Sequence, residues 1–378
     1  MPKRLRSPSN TRAPSAAFNR ASAEGTQRYA DRRRKEFLAD FYRAPTRDTG
    51  LQLSSIAIGT YLGNPDDATD AEYRAAIGAA LSSGVNVIDT AINYRCQRSE
   101  RVIGDVLQEM ISEQRIRRDE VVLCTKAGYL PLDGTPPASR EAYEAYVRSE
   151  YIERGLLAQD DLVGGGHALA PAFILDQLDR SLRNLGVQAV DFFYLHNPEQ
   201  QLTSIAPDEL RVRLRAAFEA LEHCVSIGKI GKYGCATWSG LRLPAGSQGH
   251  LSLYDLAAIA TEAGGRDHKF RVVQLPINLH MSEAVRVSTQ RDPRGRLVHV
   301  TDAATELGID LVASAPLMQG QLTRDLPPQV REIFGSGTDA QRALSFARTV
   351  PAVLTAAVGM KQVSHVSENL DSVRSTTA

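Results

Sequence analysis

Beyond residue 50 the chain alternates between two hydrophobic periods. Short β-branched runs at 55–58, 85–89, 121–125, 190–195, 230–235, 272–276, 310–314 and 353–358 show little polar alternation. Strands of that kind are covered on both faces, as in a parallel sheet wrapped by helices. Between them lie stretches with apolar residues at i, i+3, i+4 and i+7. One over 70–83 aligns Tyr73, Ala76, Ile77, Ala80 and Leu81, and one over 99–111 aligns Val102, Ile103, Val106, Leu107 and Met110. Others over 171–185 and 210–227 carry Ile174, Leu178, Leu182, Leu214, Phe218 and Leu221 at the same spacing. Gly84, Gly186, Gly228 and Gly308 follow helical stretches, where a left-handed C-cap would stand.

Eight such strand–helix units predict an α/β chain folded as a (β/α)8 TIM barrel. The competing arrangement is a doubly wound open sheet. It expects a glycine-rich phosphate turn after the first strand, and "IAIGTYLGNPD" contains no G-x-G-x-x-G. The barrel also explains why Asp89, Lys126, His196 and Gln274 each end a different strand: it brings those ends to one mouth. Residues 127–170 interrupt the rhythm after the third strand. Ala142, Tyr143, Tyr146 and Val147 at helical spacing predict an added helix there. A loop following a barrel strand lies on the mouth side, so this insertion is expected to act as a lid or substrate wall; bracing the barrel is the other reading. "VGGGH" within it reads as a flexible turn, since no Gly-Lys-Ser/Thr follows.

Composition separates residues 1–43, a basic and largely disordered extension, from 44–378, the catalytic barrel. Residues 1–23 hold Lys3, Arg4, Arg6, Arg12 and Arg20 and no acid. A short helix within 28–43 is expected to lead into the barrel. The Arg- and Ser-rich start resembles an organelle transit peptide, but a solvated tail on a cytoplasmic protein is the preferred reading. Across the chain, 44 Lys and Arg balance 44 Asp and Glu, which argues against nucleic acid or membrane as a partner. No apolar run approaches the ~20 residues of a membrane helix. The cysteines Cys96, Cys124, Cys224 and Cys235 form no C-x-x-C pair and no zinc spacing with histidine, so no metal is expected and they read as reduced thiols.

The candidate chemistry sits in "GVNVIDTAINYRCQRSERVIG", residues 84–104, where an apolar run ends in Asp89 and Tyr94 follows. A phenol has a pKa of about 10 and is a weak proton donor at neutral pH. A buried ammonium beside it would stabilise the phenolate, and Lys126 ends the neighbouring strand. That ammonium needs a counter-charge, which Asp89 supplies. His196, ending "VDFFYLH", would polarise a carbonyl oxygen. These four residues on three adjacent strands form a proton-transfer set.

This set resembles that of the aldo-keto reductase superfamily over about residues 46–373. "DTAINYRCQRSERVIG", "VVLCTKAG", "LDRSLRNLGVQAVDFFYLHNPE" and "SIGKIGKYGCATWS" are similar to its signature segments, and "VVQLPINL", "SAPLMQGQL" and "AAVGMKQVSHVSENL" follow in the family's order. The resemblance implies a nicotinamide cofactor, with Tyr94 as general acid and Lys126 with Asp89 lowering its pKa. It also implies cofactor contacts from Gly59, Thr60, Thr237, Gln274, Ser314, Pro316, Leu317, Gly320, Gly359, Lys361, His365, Glu368 and Asn369. NADP(H) is implied over NAD(H). Four departures stand out. Ala236-Thr237 replaces a Ser-Asn pair, Ser314 replaces a stacking aromatic, and His365 replaces an arginine that grips the 2′-phosphate. Arg95 stands where the family has glycine and, with Tyr61 and Tyr129, is a candidate substrate contact. The chain ends soon after its last helix, so substrate shape is expected from the 127–170 and 278–295 segments. The resulting expectation is hydride transfer between cofactor and a small carbonyl or alcohol. A cofactor-sensing scaffold with little catalysis is the alternative, and a lyase or isomerase without nicotinamide is a third reading. No exposed apolar repeat indicates an oligomeric state.

Overall fold

The computed structural model of the chain describes residues 20–47 and 50–375. Eight parallel strands close on themselves: β1 (Ile56–Gly59), β2 (Val87–Asp89), β3 (Val122–Ala127), β4 (Val190–His196), β5 (Ile230–Ala236), β6 (Phe270–Pro276), β7 (Asp310–Ser314) and β8 (Val353–Gly359). Each pairs with its neighbour in sequence, and β8 returns to β1 through Ala356–Ile56 and Gly359–Gly59. The closed sheet excludes the doubly wound alternative. The strands read as unbroken apolar runs because both faces are buried. Along β4, Phe192 and Tyr194 point into the barrel with Val87, Val122, Cys124 and Val272. Val190, Phe193 and Leu195 face the surrounding helices.

Helices follow where the 3.6-residue period placed them: Asp67–Ser82, Arg98–Ser112, Pro171–Leu185 and Pro207–Ser226 among them. Gly186 and Gly308 are left-handed C-caps, with φ of 63° at each. Among the described residues no helix is long and apolar enough to cross a membrane.

The N-terminal segment departs from the expected helix within 28–43. Its helix runs Ala23–Arg33, earlier than the apolar residues suggested, because Ser22 caps it by accepting from the Gly25 amide. Arg28 and Arg32 then reach Glu120 at 2.8 Å each, beside the start of β3. Phe37 and Phe41 stack at 4.0 Å, and Tyr42 donates to the Gly84 carbonyl ahead of β2 at 2.9 Å. Arg20 and Ala21 hold the starts of β5 and β4 through Ile230 and Asp191. Residues 20–43 therefore close the barrel's N-terminal end. Residues 1–19, most of the expected basic tail, lie outside the described residues.

The 127–170 insertion forms a helix, Arg140–Val147, that continues into a π turn over Arg148–Ile152. Tyr151 is fully buried, packs edge-on to Phe173 at 5.4 Å, and shares the Pro131 carbonyl with Tyr146. Arg180 lies over the Tyr151 ring and binds Glu150 and Asp176. These contacts join the insertion to the flank of helix Pro171–Leu185.

Candidate active site

At the C-terminal ends of the strands a cavity of about 860 Å³ opens. Asp89, Tyr94 and His196 line one region of it, as do Tyr61 and Tyr129. The residues expected to hold a cofactor line it as well: Gly59, Thr60, Thr237, Gln274, Ser314, Pro316, Leu317, Gly320, Gly359, Lys361, His365, Glu368 and Asn369. Lys126 is 1% exposed and sits beneath the cavity floor.

Barrel closure aligns the floor. Lys126 is in register with Tyr194, and His196 with Ala236. The Lys126 ammonium donates to Asp89 Oδ2 at 2.8 Å and to the Thr90 carbonyl at 2.7 Å. Burial draws its pKa down, but the Asp89 carboxylate outweighs this and the net direction is upward. Gln274 donates from its amide to Asp89 Oδ1 at 2.8 Å. That amide hydrogen is therefore spent on the carboxylate, and Gln274 presents its other groups to the cavity.

The Lys126 ammonium lies 5.0 Å from the centroid of the Tyr94 ring. The sequence led us to expect a phenol pKa below its ordinary value. Instead, burial pushes it above 10; Lys126 pulls it down by charge and hydrogen bonding, and Asp89 pushes it up. Lys126 thus moderates the cost of forming the phenolate without reversing it. His196 stands edge-on to Tyr94, with ring centroids 5.9 Å apart. Burial, with Lys126 and His167 nearby, holds its pKa well below 6.5, so the ring is neutral at physiological pH.

Arg95 corrects a further expectation, since it is not among the cavity-lining residues. Its guanidinium donates to the Asn64 carbonyl at 2.8 Å and pairs with Asp70 at 2.5 Å, and it stacks over Tyr73. Arg95, Cys96 and Gln97 all hold left-handed backbone, with φ of 50°, 55° and 68°. Such a conformation costs an L-residue roughly 1–2 kcal/mol, which explains a family preference for glycine at position 95. Here neighbours hold the turn: Gln97 donates to the Leu132 carbonyl, and Cys96 accepts from the Gly134 amide. The turn fixes the chain immediately after Tyr94.

Of residues 127–170 only Tyr129 lines the cavity, and 278–295 contributes none. Of the two roles expected of the insertion, Tyr129 adds to the cavity wall, while the helix Arg140–Val147 does not line the cavity and packs beside Pro131. The 278–295 segment forms the short helix Glu283–Arg286 and begins a small ribbon, Gln290–Arg291 with Leu297–Val298. Trp238 contributes a wall instead and is 46% exposed. It follows Thr237 directly, and an aromatic just past a strand end is the sequence signal for such a wall. Glu199 holds this loop: its Oε1 accepts from the amides of Trp238, Ser239 and Gly240 at 2.6, 3.0 and 3.2 Å. His167, in the supposed flexible "VGGGH", is 1% exposed and bonded to β4. Nothing in its sequence context marks it.

At the cavity's other region, Lys361 and His365 flank the start of helix Val363–Asp371, with Glu368 and Asn369 one turn on. Lys361 pairs with Glu72 at 2.9 Å. Glu368 accepts from Thr338 at 2.8 Å. All four cysteines are free and buried.

Several known proteins resemble this chain. It is 29% identical over 189 residues to a D-threo-aldose 1-dehydrogenase from Pseudomonas sp, covering 49% of this chain and 50% of that protein. It is 24% identical over 277 residues to the L-glyceraldehyde 3-phosphate reductase of Escherichia coli strain K12, covering 73% and 61%. The chain thus spans about half to three fifths of the length of these relatives. Its fold is similar to that of an aldo/keto reductase from Klebsiella pneumoniae solved in complex with NADP and acetate. The TM-score is 0.56 at 19% identity, with 85% of this chain and 87% of that one covered. The sequence model of the aldo/keto reductase family matches residues 55–377. Since that match runs from the first barrel strand past the last helix, the chain belongs to the aldo/keto reductase family.

Proposed function

We propose that the chain is a cytoplasmic carbonyl reductase, reversible as an alcohol dehydrogenase, that uses NADP(H) in preference to NAD(H) and acts on uncharged substrates. The observation that carries this reading is the grouping of the Tyr94 phenol, the Lys126–Asp89 pair and a neutral His196 at one cavity.

When bound, the nicotinamide supplies a hydride, the two electrons that turn the carbonyl carbon into an alcohol carbon. The chain's own residues handle the proton. Tyr94 is protonated at neutral pH and transfers its hydroxyl hydrogen to the carbonyl oxygen as that oxygen gains charge. The Lys126 ammonium stabilises the phenolate left behind, and water returns its proton. His196 orients the carbonyl by a hydrogen bond from its neutral ring. Oxidation of an alcohol runs the same transfers backwards, with Tyr94 as base.

The cofactor's size and charge fit the rest of the cavity. The start of helix Val363–Asp371 and Lys361 favour an anionic group. A 2′-phosphate would compete with Glu72 for the Lys361 ammonium. The four free thiols suit a reducing compartment.

The substrate wall is formed by Tyr61, Tyr129, Asn197 and Trp238. Arg95 is sequestered, and among the described residues the cationic candidates lining the cavity are Lys361 and His365, both beyond β8. A neutral sugar or aryl aldehyde fits that wall, whereas a phosphorylated one would lack a counter-charge. The aldose chemistry named for the Pseudomonas relative therefore suits this site better than the phosphate ester named for the E. coli one.

Tyr94→Phe should lower carbonyl reduction by about 10²-fold or more while NADPH binding, read by fluorescence titration, stays near wild type. In the same assay wild type should favour glyceraldehyde over its 3-phosphate. Full activity in Y94F would overturn the proton-donor role. Cofactor binding by wild type with no turnover of any carbonyl would favour the scaffold reading.

A further inference from the structure

We propose that His167 is a positioning residue, supplied by the insertion, that fixes the end of β4 so that the His196 ring faces Tyr94. This rests on the proposed function, in which His196 seats the carbonyl.

The hydrogen-bond directions can be assigned from the partners. Arg213 donates to Gln201 Oε1 at 2.9 Å, which orients that amide. Gln201 Nε2 then faces His167 Nδ1 at 2.8 Å and can only donate. His167 Nδ1 is therefore the acceptor and Nε2 carries the hydrogen, which it donates to the His196 carbonyl at 2.7 Å. A second contact acts on the ring. Tyr129 lies between the two imidazoles, 4.9 Å from His167 and 5.1 Å from His196, nearly perpendicular to each. Its hydroxyl accepts from Asn197 at 3.1 Å.

Two backbone features show that the site is built for this approach. Gly128 has φ of +139°, and a Cβ there would lie 3.0 Å from the His196 carbonyl oxygen and 3.1 Å from His167 Nε2. Asn197 is left-handed, with φ of 47°, immediately after His196. A strained turn persists only where its surroundings over-determine it, and the His167 bond fastens the residue before it.

The charged and titratable groups around His196 are Lys126, Tyr94, Tyr129 and His167, with Asp89 beyond Lys126. Loss of the His167 bond should let the ring move toward water and titrate at higher pH.

The test compares His167→Gln, whose amide can replace the Nε2 donor, with His167→Asn, whose amide retains the Gln201 contact but falls short of His196. H167N should reduce kcat by about 10²-fold, the loss expected of a 1 Å misplacement, with NADPH affinity preserved. The His196 ring, followed by NMR in the cofactor-free protein, should titrate higher than in wild type. H167Q should restore both. If circular dichroism shows H167N unfolded, Gln201→Leu, which frees Nδ1, should move the same readouts in the same direction. Wild-type kcat and an unmoved His196 titration in the folded variants would overturn the proposal. If wild type reduces no carbonyl, the redox reading fails, and the ring titration alone decides the role of His167.

Discussion

Burial holds His167 at a pKa of about 4, against an ordinary value of 6.5. His268 is held at about 4 for the same first reason, with Arg271 adding to it. The sign of the consequence follows directly. Between pH 6.5 and 4 the unfolded chain protonates these rings and the folded chain does not, so stability falls as pH falls through that window. For His167 alone the loss from pH 7 to pH 5 should be roughly 2 kcal/mol, and urea denaturation at the two values should show it. In H167Q that share should vanish; an unchanged difference would contradict the assignment. At this same scale the grouping of the proposed set was readable, because Asp89 and His196 end their strands, Lys126 stands one residue before the end of its own, and barrel geometry makes such ends converge. Arg95 and His167 were not readable. A side chain's identity does not tell whether Asp70 will claim it, nor whether a glycine-rich turn will fold back onto β4.

Among elements, both hydrophobic periods translated into structure because every barrel strand is covered on two sides and every major helix on one. The predicted and observed strands differ by at most two residues at their ends, as at β3, where the strand extends through Ala127, and coincide at β7. The insertion was legible as a helix but not in its role: Tyr146 and Tyr151 had no visible partner until Pro131 and Phe173 came beside them. The helix Asp67–Ser82 offers a cheap probe of this account. Gly78 lies in its interior, and a Cβ there would meet nothing within 4 Å. Gly78→Ala should therefore stabilise the protein by roughly 0.5–1 kcal/mol, seen as a higher Tm, by removing glycine's entropic cost in a helix. A destabilised G78A would mean the groove beside it is occupied in solution.

For the whole molecule, the barrel divides its labour between two ends. The C-terminal rim carries the cavity, and the opposite end is stoppered by residues 20–43. Phe41 is fully buried in that stopper. Phe41→Ala should destabilise the fold by roughly 3–5 kcal/mol, the usual range for removing a buried ring. Because Phe41 does not line the cavity, the KM values should stay at wild-type levels below the melting temperature. A change in KM without a change in stability would show that the two ends are coupled.

Arg20 and Ala21 grip Ile230 and Asp191 at the starts of β5 and β4, on the far side of the barrel from Tyr94. An immobilisation handle attached within residues 20–43 would thus anchor the protein by its closed base. On an electrode or bead it would stand with the opening turned outward, free to exchange reactants with the medium.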